Sequence, residues 1–428
     1  MKNICFYFEI HRPVRLKRYR FFDIGNDHYY YDDFQNEDHI RFLAEQSYLP
    51  ANKAIYEMIR NSNGKFRCAY SFSGIALEQL EQYAPEVIDS FIELAKTDCV
   101  EFLAETYAHS LASIYDYNEF EQEVKMQVDK IESLFGKKPT AFRNSELIYS
   151  DEIGEKIYQL GFKTILIDEV SHVLGWKSPN FIYSHPSIQR LKLLVRNFGL
   201  SDDIAFRFSN PSWQGYPLTA DKFIGWINNF PENEKIINIW MGYEAFGVFQ
   251  PNHTGIFDFL KALPYYALLN NIGFILPSEA AKKMEAVNIL SSPEPISWSG
   301  LEKDISVWNG NDLQQEALNK LYAVGERVRL CDDRTLRHDW LRLQSTDHFR
   351  YMSHKDSFGT YYESPYDAFI NYMNILADFL DRVDQQYPTT IENEELNALL
   401  KTIANLEKEV EKLQAELKRL RARKKIIE

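Results

Sequence analysis

Four stretches of this 428-residue chain end in groups that a cleft could use. Residues 4–10 run into His11-Arg12-Pro13. Residues 99–103 hold Glu101 and lead to Glu105 and His109. Residues 140–144, with Arg143, lead to Glu146. Residues 236–241 lead through Gly242 to Tyr243 and Glu244. Carboxylates and histidines are the usual acids, bases and nucleophiles of protein chemistry. Glu146 lies three residues after Arg143, and a nearby cation favours the charged form of an acid. An ionised carboxylate facing a cleft can attack an anomeric carbon; the same pair can also be a structural salt bridge. His11, before Arg-Pro, suits sugar-hydroxyl binding and a structural role equally. His109 lies four residues after Glu105, but no HxH or HxxEH spacing and no third ligand accompanies it, so no metal is expected. Gly242, at the tip of an apolar strand, brings no side chain at all.

These residues need elements that bring them together. Short apolar runs at 4–10, 66–72, 99–103, 140–144, 164–167, 191–195, 236–241 and 273–276 alternate with helical patterns at 77–94, 117–135, 151–160, 220–228 and 255–271. The β-then-α rhythm predicts a parallel sheet under helices, and seven or eight such units fit a closed barrel better than an open sheet. In such a barrel the carboxyl ends of the strands converge on one face. After about residue 290 the pattern becomes helical, at 302–308, 313–330, 333–343 and 365–385. The stretch SWSGLEKD, 297–304, either reaches back toward the cleft or serves as a plain helix cap. The expected division is a barrel over 1–290, a helical domain over 291–388 and a tail over 389–428.

In the tail, Leu396, Leu399, Ile403, Leu406, Val410, Leu413, Leu417 and Leu420 are spaced alternately by three and four. Leu at one seam position and mixed Leu, Ile and Val at the other favour a two-stranded coiled coil, and Glu416 and Arg421 have the spacing of a cross-strand ion pair. A homodimer is expected, the alternative being a helix packed on its own chain.

Composition excludes other classes. A net charge of −14 argues against nucleic acid or an anionic membrane as partner. No apolar run has the length of a membrane span, and the N-terminus lacks a signal-peptide core. Cys5, Cys68, Cys99 and Cys331 show no CxxC spacing; Cys5, Cys68 and Cys99 fall in strand-like runs, so buried thiols in a reducing, cytoplasmic setting are expected. No GxSxG elbow, phosphate-binding GxxxxGK[ST] loop or GxGxxG turn is present. The 26 Tyr, 29 Phe and 7 Trp serve mainly as core, but aromatic faces beside carboxylates are also compatible with carbohydrate binding.

Taken in order, FEIHRP, VEFLAETYAHSL, AFRNSELIYSDEI, LLVRNFGLSDDIAFRFSN and GYEAFG resemble the signature segments of glycoside hydrolase family 57, in its short α-amylase-type branch, over about residues 3–325. The resemblance implies an α/β fold, an incomplete (β/α)7 TIM-like barrel followed by an α-helical domain. It implies a retaining mechanism on α-glucans or maltooligosaccharides with no metal or organic cofactor, and it makes Glu146 the nucleophile. His11, Glu101, Glu105, His109, Arg143, Asp203, Tyr243, Glu244 and Trp298 become candidate substrate-binding residues. The sequence departs from the family's pattern at telling positions. Arg12 stands where His-Gln-Pro has Gln. Gly242 stands where Asp-Tyr-Glu-Thr-Phe-Gly has the acid/base Asp, and Gly300 where Trp-Ala-Asp has Asp. Lost or reduced hydrolysis is therefore expected. An acid displaced to Glu244, Asp202 or Asp203 would keep the chain an active hydrolase or glucanotransferase. Glu244 would have to cross ~6–7 Å, the span of two strand residues, to reach position 242.

Overall fold

The first strand shows how the sheet is built. In the computed structural model, β1 (Lys2–Ile10) turns Ile4, Phe6, Phe8 and Ile10 into one apolar layer and Cys5 and Tyr7 into another. Side chains of a strand face opposite sides in turn, and burial on both sides is what a helix-covered parallel sheet demands. The same alternation puts Glu9 on the inner face, above Tyr7. The structure describes residues 1–355 and 360–386, together with ten residues between 399 and 414.

Further strands are β2 (Cys68–Phe72), β3 (Val100–Leu103), β4 (Phe142–Arg143), β5 (Thr164–Ile167), β6 (Ile182–Ser184), β7 (Lys192–Val195), β8 (Ile236–Gly242), β9 (Ile272–Phe274) and β10 (Asn288–Ile289). One sheet has the order β3-β2-β1-β8, with β9 also paired to β1; the other has the order β10-β6-β7-β5-β4. Among the described strands, only the pairing of β6 with β7 is antiparallel. Two parallel bridges, Ala104 to Phe142 and Arg196 to Asn238, join the sheets. The parallel strands therefore follow one another as β1-β2-β3-β4-β5-β7-β8 and return to β1. Cys5, Tyr7, Ala69, Leu103, Leu166, Leu194 and Trp240 fill the space they enclose. In β1 and β8, Glu9 pairs in register with Gly242.

Helices cover the outer face. The patterns at 117–135 and 220–228 form Tyr117–Phe135 and Ala220–Asn228. The pattern at 77–94 is instead two helices, Gly74–Tyr83 and Pro85–Ala95, broken where Pro85 lacks an N–H to continue the first. Likewise 313–330 divides into Asp312–Ala323 and Gly325–Leu330, and 302–308 contracts to Ser306–Asn309. The helices Asp33–Leu43 and Leu49–Asn61 fall where the sequence analysis assigned nothing. The later helices share a core with the sheet: one apolar cluster extends from Val14 through Phe142 and Trp308 to Val383.

Of the heptad residues, Leu399, Ile403, Leu406, Val410 and Leu413 are helical and exposed. Leu396, Leu417, Leu420, Glu416 and Arg421 lie outside the described residues. The four cysteines are free and buried. Among the described residues no helix is long and apolar enough to cross a membrane.

Candidate active site

At the carboxyl ends of β1 and β8 lies a cavity of about 120 Å3. β1 and its continuation supply Glu9, His11 and Arg12; the loop after β3 supplies His109; the turn after β4 supplies Glu146. β8 supplies Trp240 and Gly242, followed by Glu244. Trp298 comes from the 297–304 stretch, and Asp347 and Arg350 from a late helix, Thr346–Arg350.

Glu146 sits on a tight turn, Ser145–Leu147, at φ 55°, with Leu147 at φ 53°. Positive φ in non-glycine residues costs about 1–3 kcal/mol each and persists only where the surroundings enforce it. Here the Asn144 amide donates to the Ile148 carbonyl and the Ser113 hydroxyl, both at 3.0 Å, and Ser145 shares a 2.5 Å hydrogen bond with Thr106. Both carboxylate oxygens are addressed: Trp298 Nε1 donates to Oε2 at 2.6 Å and Thr346 Oγ1 to Oε1 at 2.9 Å.

His109 is also at positive φ, 54°, held by its neighbours. Glu123 accepts from the Ala108 N–H at 2.6 Å and the Ser110 hydroxyl at 2.5 Å. The ring meets three carboxylates, Glu105 through Nδ1 at 3.4 Å and Glu9 and Glu146 through Nε2 at 3.4 and 3.5 Å. Burial opposes its charge, but hydrogen bonds to Glu105 and Glu146 and the field of Glu9 outweigh burial and raise it to about 10. His109 is thus a cation at neutral pH. Burial likewise opposes ionisation of Glu146, yet His109, helped by Arg350, holds it down at about 2. This corrects the expectation from sequence: Arg143 donates to Glu105 at 2.8 Å and Glu9 at 2.6 Å, not to Glu146. Arg143 and Glu105 lie behind the cavity, as a brace for Glu9 and His109.

His11 stacks on His109 with centroids 3.9 Å apart. Its Nε2 lies 2.8 Å from Asp347 Oδ2 and its Nδ1 2.7 Å from the Ser73 hydroxyl. Burial and the His109 charge keep its own value low, so the ring is neutral and can donate to Asp347. Trp298 is fixed by Lys303, which donates to its carbonyl at 2.6 Å and to Asp168 at 3.0 Å. The 297–304 stretch therefore does reach back to the cleft.

Position 242 projects inward but carries only hydrogen. Its φ is −60°, which any residue adopts, and a Cβ there would lie 3.2 Å from Glu244 Oε2. The short turn Tyr243–Ala245 folds the Glu244 carboxylate back toward position 242, instead of leaving it two strand residues away. That carboxylate accepts from the Tyr48 hydroxyl and pairs with Arg12 at 3.3 Å. Gly300 is different: its φ of 75° favours glycine for backbone reasons.

Besides Arg143 and Glu105, three expected residues fall outside the cavity. Glu101 faces inward at the opposite end of β3, bonded to the Ser278 N–H at 3.1 Å. Tyr243 points outward into the core, its hydroxyl on Asn52 at 2.7 Å. Asp203 holds Arg207 at 2.7 Å outside the cavity, and its neighbour Asp202 is bound to Arg196 at 2.5 Å. Conversely, Glu9, Arg196, Trp240, Thr346, Asp347 and Arg350 belong to the site or line it without having been singled out. Glu9 was hidden inside an apolar run. Only its parity with Cys5 and Tyr7 could have revealed it.

An anionic carboxylate under aromatic walls can attack an acyl or anomeric carbon. The family model described as "Glycosyl hydrolase family 57" matches residues 5–293. The chain belongs to glycosyl hydrolase family 57. A protein of Methanocaldococcus jannaschii named "Putative alpha-amylase" is 36% identical over 397 residues, 88% of this chain and 84% of that one. Among solved family 57 folds, a branching enzyme of Thermococcus kodakaraensis superposes with a TM-score of 0.66 at 12% identity, covering 92% of this chain and 94% of its own. The 4-alpha-glucanotransferase of Thermococcus litoralis gives a TM-score of 0.66 at 15% identity, covering 87% of this chain, which spans 59% of that enzyme. These two likenesses speak for the fold. Trp298, Thr346, Asp347 and Arg350 lie beyond the stretch that the family 57 model matches.

Proposed function

We propose that this family 57 chain binds α-glucans or maltooligosaccharides in the cleft and attacks them with Glu146, with hydrolysis reduced because position 242 offers no acid. The observation that carries the reading is the coexistence of a held, ionised and strained Glu146 with an empty side-chain position at Gly242. Strain at His109 and Glu146 is kept where a geometry is used. In a retaining mechanism one carboxylate attacks the anomeric carbon while another carboxyl protonates the departing oxygen. Positioned acid help is worth ~10²–10⁴ in rate, and an unactivated glucan needs most of it. Stacking by Trp298 and Trp240 suits sugar rings. The ring of parallel strands is read as the (β/α)7 barrel, with the helical part and tail beginning near 291 and 389. A cytoplasmic homodimer joined through the tail completes the reading.

The test is product release from maltoheptaose over long incubation, with Glu146→Gln as control, beside calorimetric binding of the same sugar. Slow release that vanishes in Glu146→Gln supports the reading. Binding without any Glu146-dependent release would make the cleft a glucan receptor; no binding would overturn both. Removal of residues 391–428 should convert a dimer to a monomer in light scattering, and a truncated dimer would refute the role of the tail.

A further inference from the structure

The α-glucan reading leaves the leaving-group proton without a donor, and the present inference rests on that reading. Four carboxyls line the cavity among the described residues: Glu9, Glu146, Glu244 and Asp347. Glu146 is the attacking group. Asp347 is held well below the usual carboxylate range: burial opposes this, but His11 outweighs it. Glu244 meets Arg12 and the Tyr48 hydroxyl through Oε1, with Oε2 toward position 242. Glu9 is the carboxyl that shares the His109 nitrogen with Glu146.

We propose that Glu9 serves as the acid and base of the cleft in place of the missing carboxyl at position 242. The placement comes from the sheet. Glu9 is the register partner of Gly242 on the adjacent strand, on the same inner face. Glu9 and Glu146 both meet His109 Nε2, at 3.4 and 3.5 Å, so these oxygens lie within about 7 Å of each other. In retaining glycosidases the two carboxyls stand about 5–5.5 Å apart, which lies inside this limit. Arg143 and His109 both meet Glu9 Oε1. No hydrogen bond to Oε2 is seen among the described residues, and Glu9 lines the cavity, which leaves Oε2 as the oxygen available to a ligand.

Charge balance explains why this carboxyl keeps a proton. The groups facing Glu9 are Arg143 from β4, His109 and Glu105 from the loop after β3, and Glu146 from the turn after β4; β8 contributes the uncharged Gly242. Two cations thus face three carboxyls. Glu105, where burial is outweighed by His109 and Arg143, stays below its ordinary value. The surplus negative charge falls on Glu9. Burial, followed by Glu146 and Glu105, pushes it up to about 7 against Arg143 and His109. Near neutral pH it can both give and take a proton.

In the first step Glu146 bonds to the anomeric carbon, the bond from that carbon to the departing oxygen breaks, and the Glu9 proton passes to that oxygen. In the second, Glu9 as carboxylate takes a proton from a water or sugar hydroxyl whose oxygen displaces Glu146. The proton count is restored.

A leaving group that needs no proton separates this role from any other. The experiment measures first-turnover rates of the full chain on maltoheptaose and on α-maltosyl fluoride, with and without Glu9→Gln. Expected is a fall of about 10²-fold or more on maltoheptaose but less than about tenfold on fluoride release. The natural protein should lose maltoheptaose cleavage above about pH 7, with no matching fall for fluoride. Equal losses on both substrates, or maltoheptaose cleavage unaffected by the substitution, overturn the proposal while Glu146-dependent fluoride release upholds the α-glucan reading. Failure of the natural protein to release fluoride or to acquire a sugar ester on Glu146 overturns that reading and this proposal with it. If Glu9→Gln does not fold, the two pH profiles of the natural protein decide: an alkaline fall shared by both substrates refutes the role of Glu9.

Discussion

Replacing Gly242 by Asp should restore cleavage to a cleft that has lost its acid through Glu9→Gln, and the structure sizes the effect. The backbone at 242 is ordinary, so the side chain enters without backbone strain. Its Cβ would stand 3.2 Å from Glu244 Oε2, which must yield by a few tenths of an ångström. The new carboxyl then lies beside another. Two unit charges about 4 Å apart repel by about 4 kcal/mol at an effective dielectric constant of about 20, enough to lift one carboxyl from about 4 to near neutrality. Glu244 is already paired with Arg12 at 3.3 Å, so the proton falls on the introduced aspartate, which has no such partner. A proton-carrying carboxyl facing the cleft can then supply the leaving-group proton. In Glu9→Gln, which lacks its own donor, the gain expected in kcat on maltoheptaose is ~10²–10⁴, about 3–5 kcal/mol of barrier. In the natural protein, where Glu9 already gives that proton, the gain is smaller. The assay is reducing-end release over a pH series, with Glu146 labelling to confirm an intact site. A folded, labelled Glu9→Gln, Gly242→Asp protein less than about threefold faster than Glu9→Gln alone would refute the reasoning.

Other consequences follow from the same contacts. Trp298→Phe removes a donor from the Glu146 carboxylate; hydrogen bonds to charged groups are worth about 1.5–3 kcal/mol. Glu146 should therefore titrate higher, moving the acid limb of the pH–rate profile upward and lowering kcat about ten- to a hundredfold. Arg143→Met leaves Glu9 and Glu105 without their buried cation and should cost about 3–5 kcal/mol in urea unfolding. Stability should fall as pH rises. Burial raises Glu9, Glu101 and Glu119 to about 7 and Glu123 to about 8. The folded state then binds more protons than the unfolded one above about pH 4.5, so this contribution is complete below that pH and lost through 7–8. His109, raised to about 10, adds stability that is complete below about 6.5 and lost as pH climbs through 10. Thermal unfolding should show Tm declining from pH 6 to 9; a rise would contradict these environments.

The legible parts of the molecule are those written in local periodicity. The runs at 4–10 and 236–241 read as strands because both faces are apolar, and each lies within a residue or two of its observed bounds. His11, His109, Glu146 and Glu244, named from the polar strand ends, all line the cavity. Parity explains the misses. Glu101 shares the inner face with Glu105 but lies at the wrong end of β3, and Tyr243 follows an inward residue and so points outward. Thr346, Asp347 and Arg350 carry no local signal. Nothing in TDHFR says that it closes a site whose other parts lie some 200 residues earlier. The fold of Glu244 onto position 242 depends on a single short turn, which no strand pattern foretells.

The late arrival of Thr346 bears on how the molecule is made. Chains leave the ribosome at about 5–20 residues per second, so roughly 10–40 s separate the emergence of Glu146 from that of its partner. Through that interval the strand-bearing segment exists with a strained carboxylate lacking one of its hydrogen-bond donors, and Asp347 and Arg350 are absent as well. The nascent chain should remain a soft, protease-sensitive intermediate until the closing helix is translated, and a stop codon shortly before residue 346 would remove far more than the last fifth of the protein.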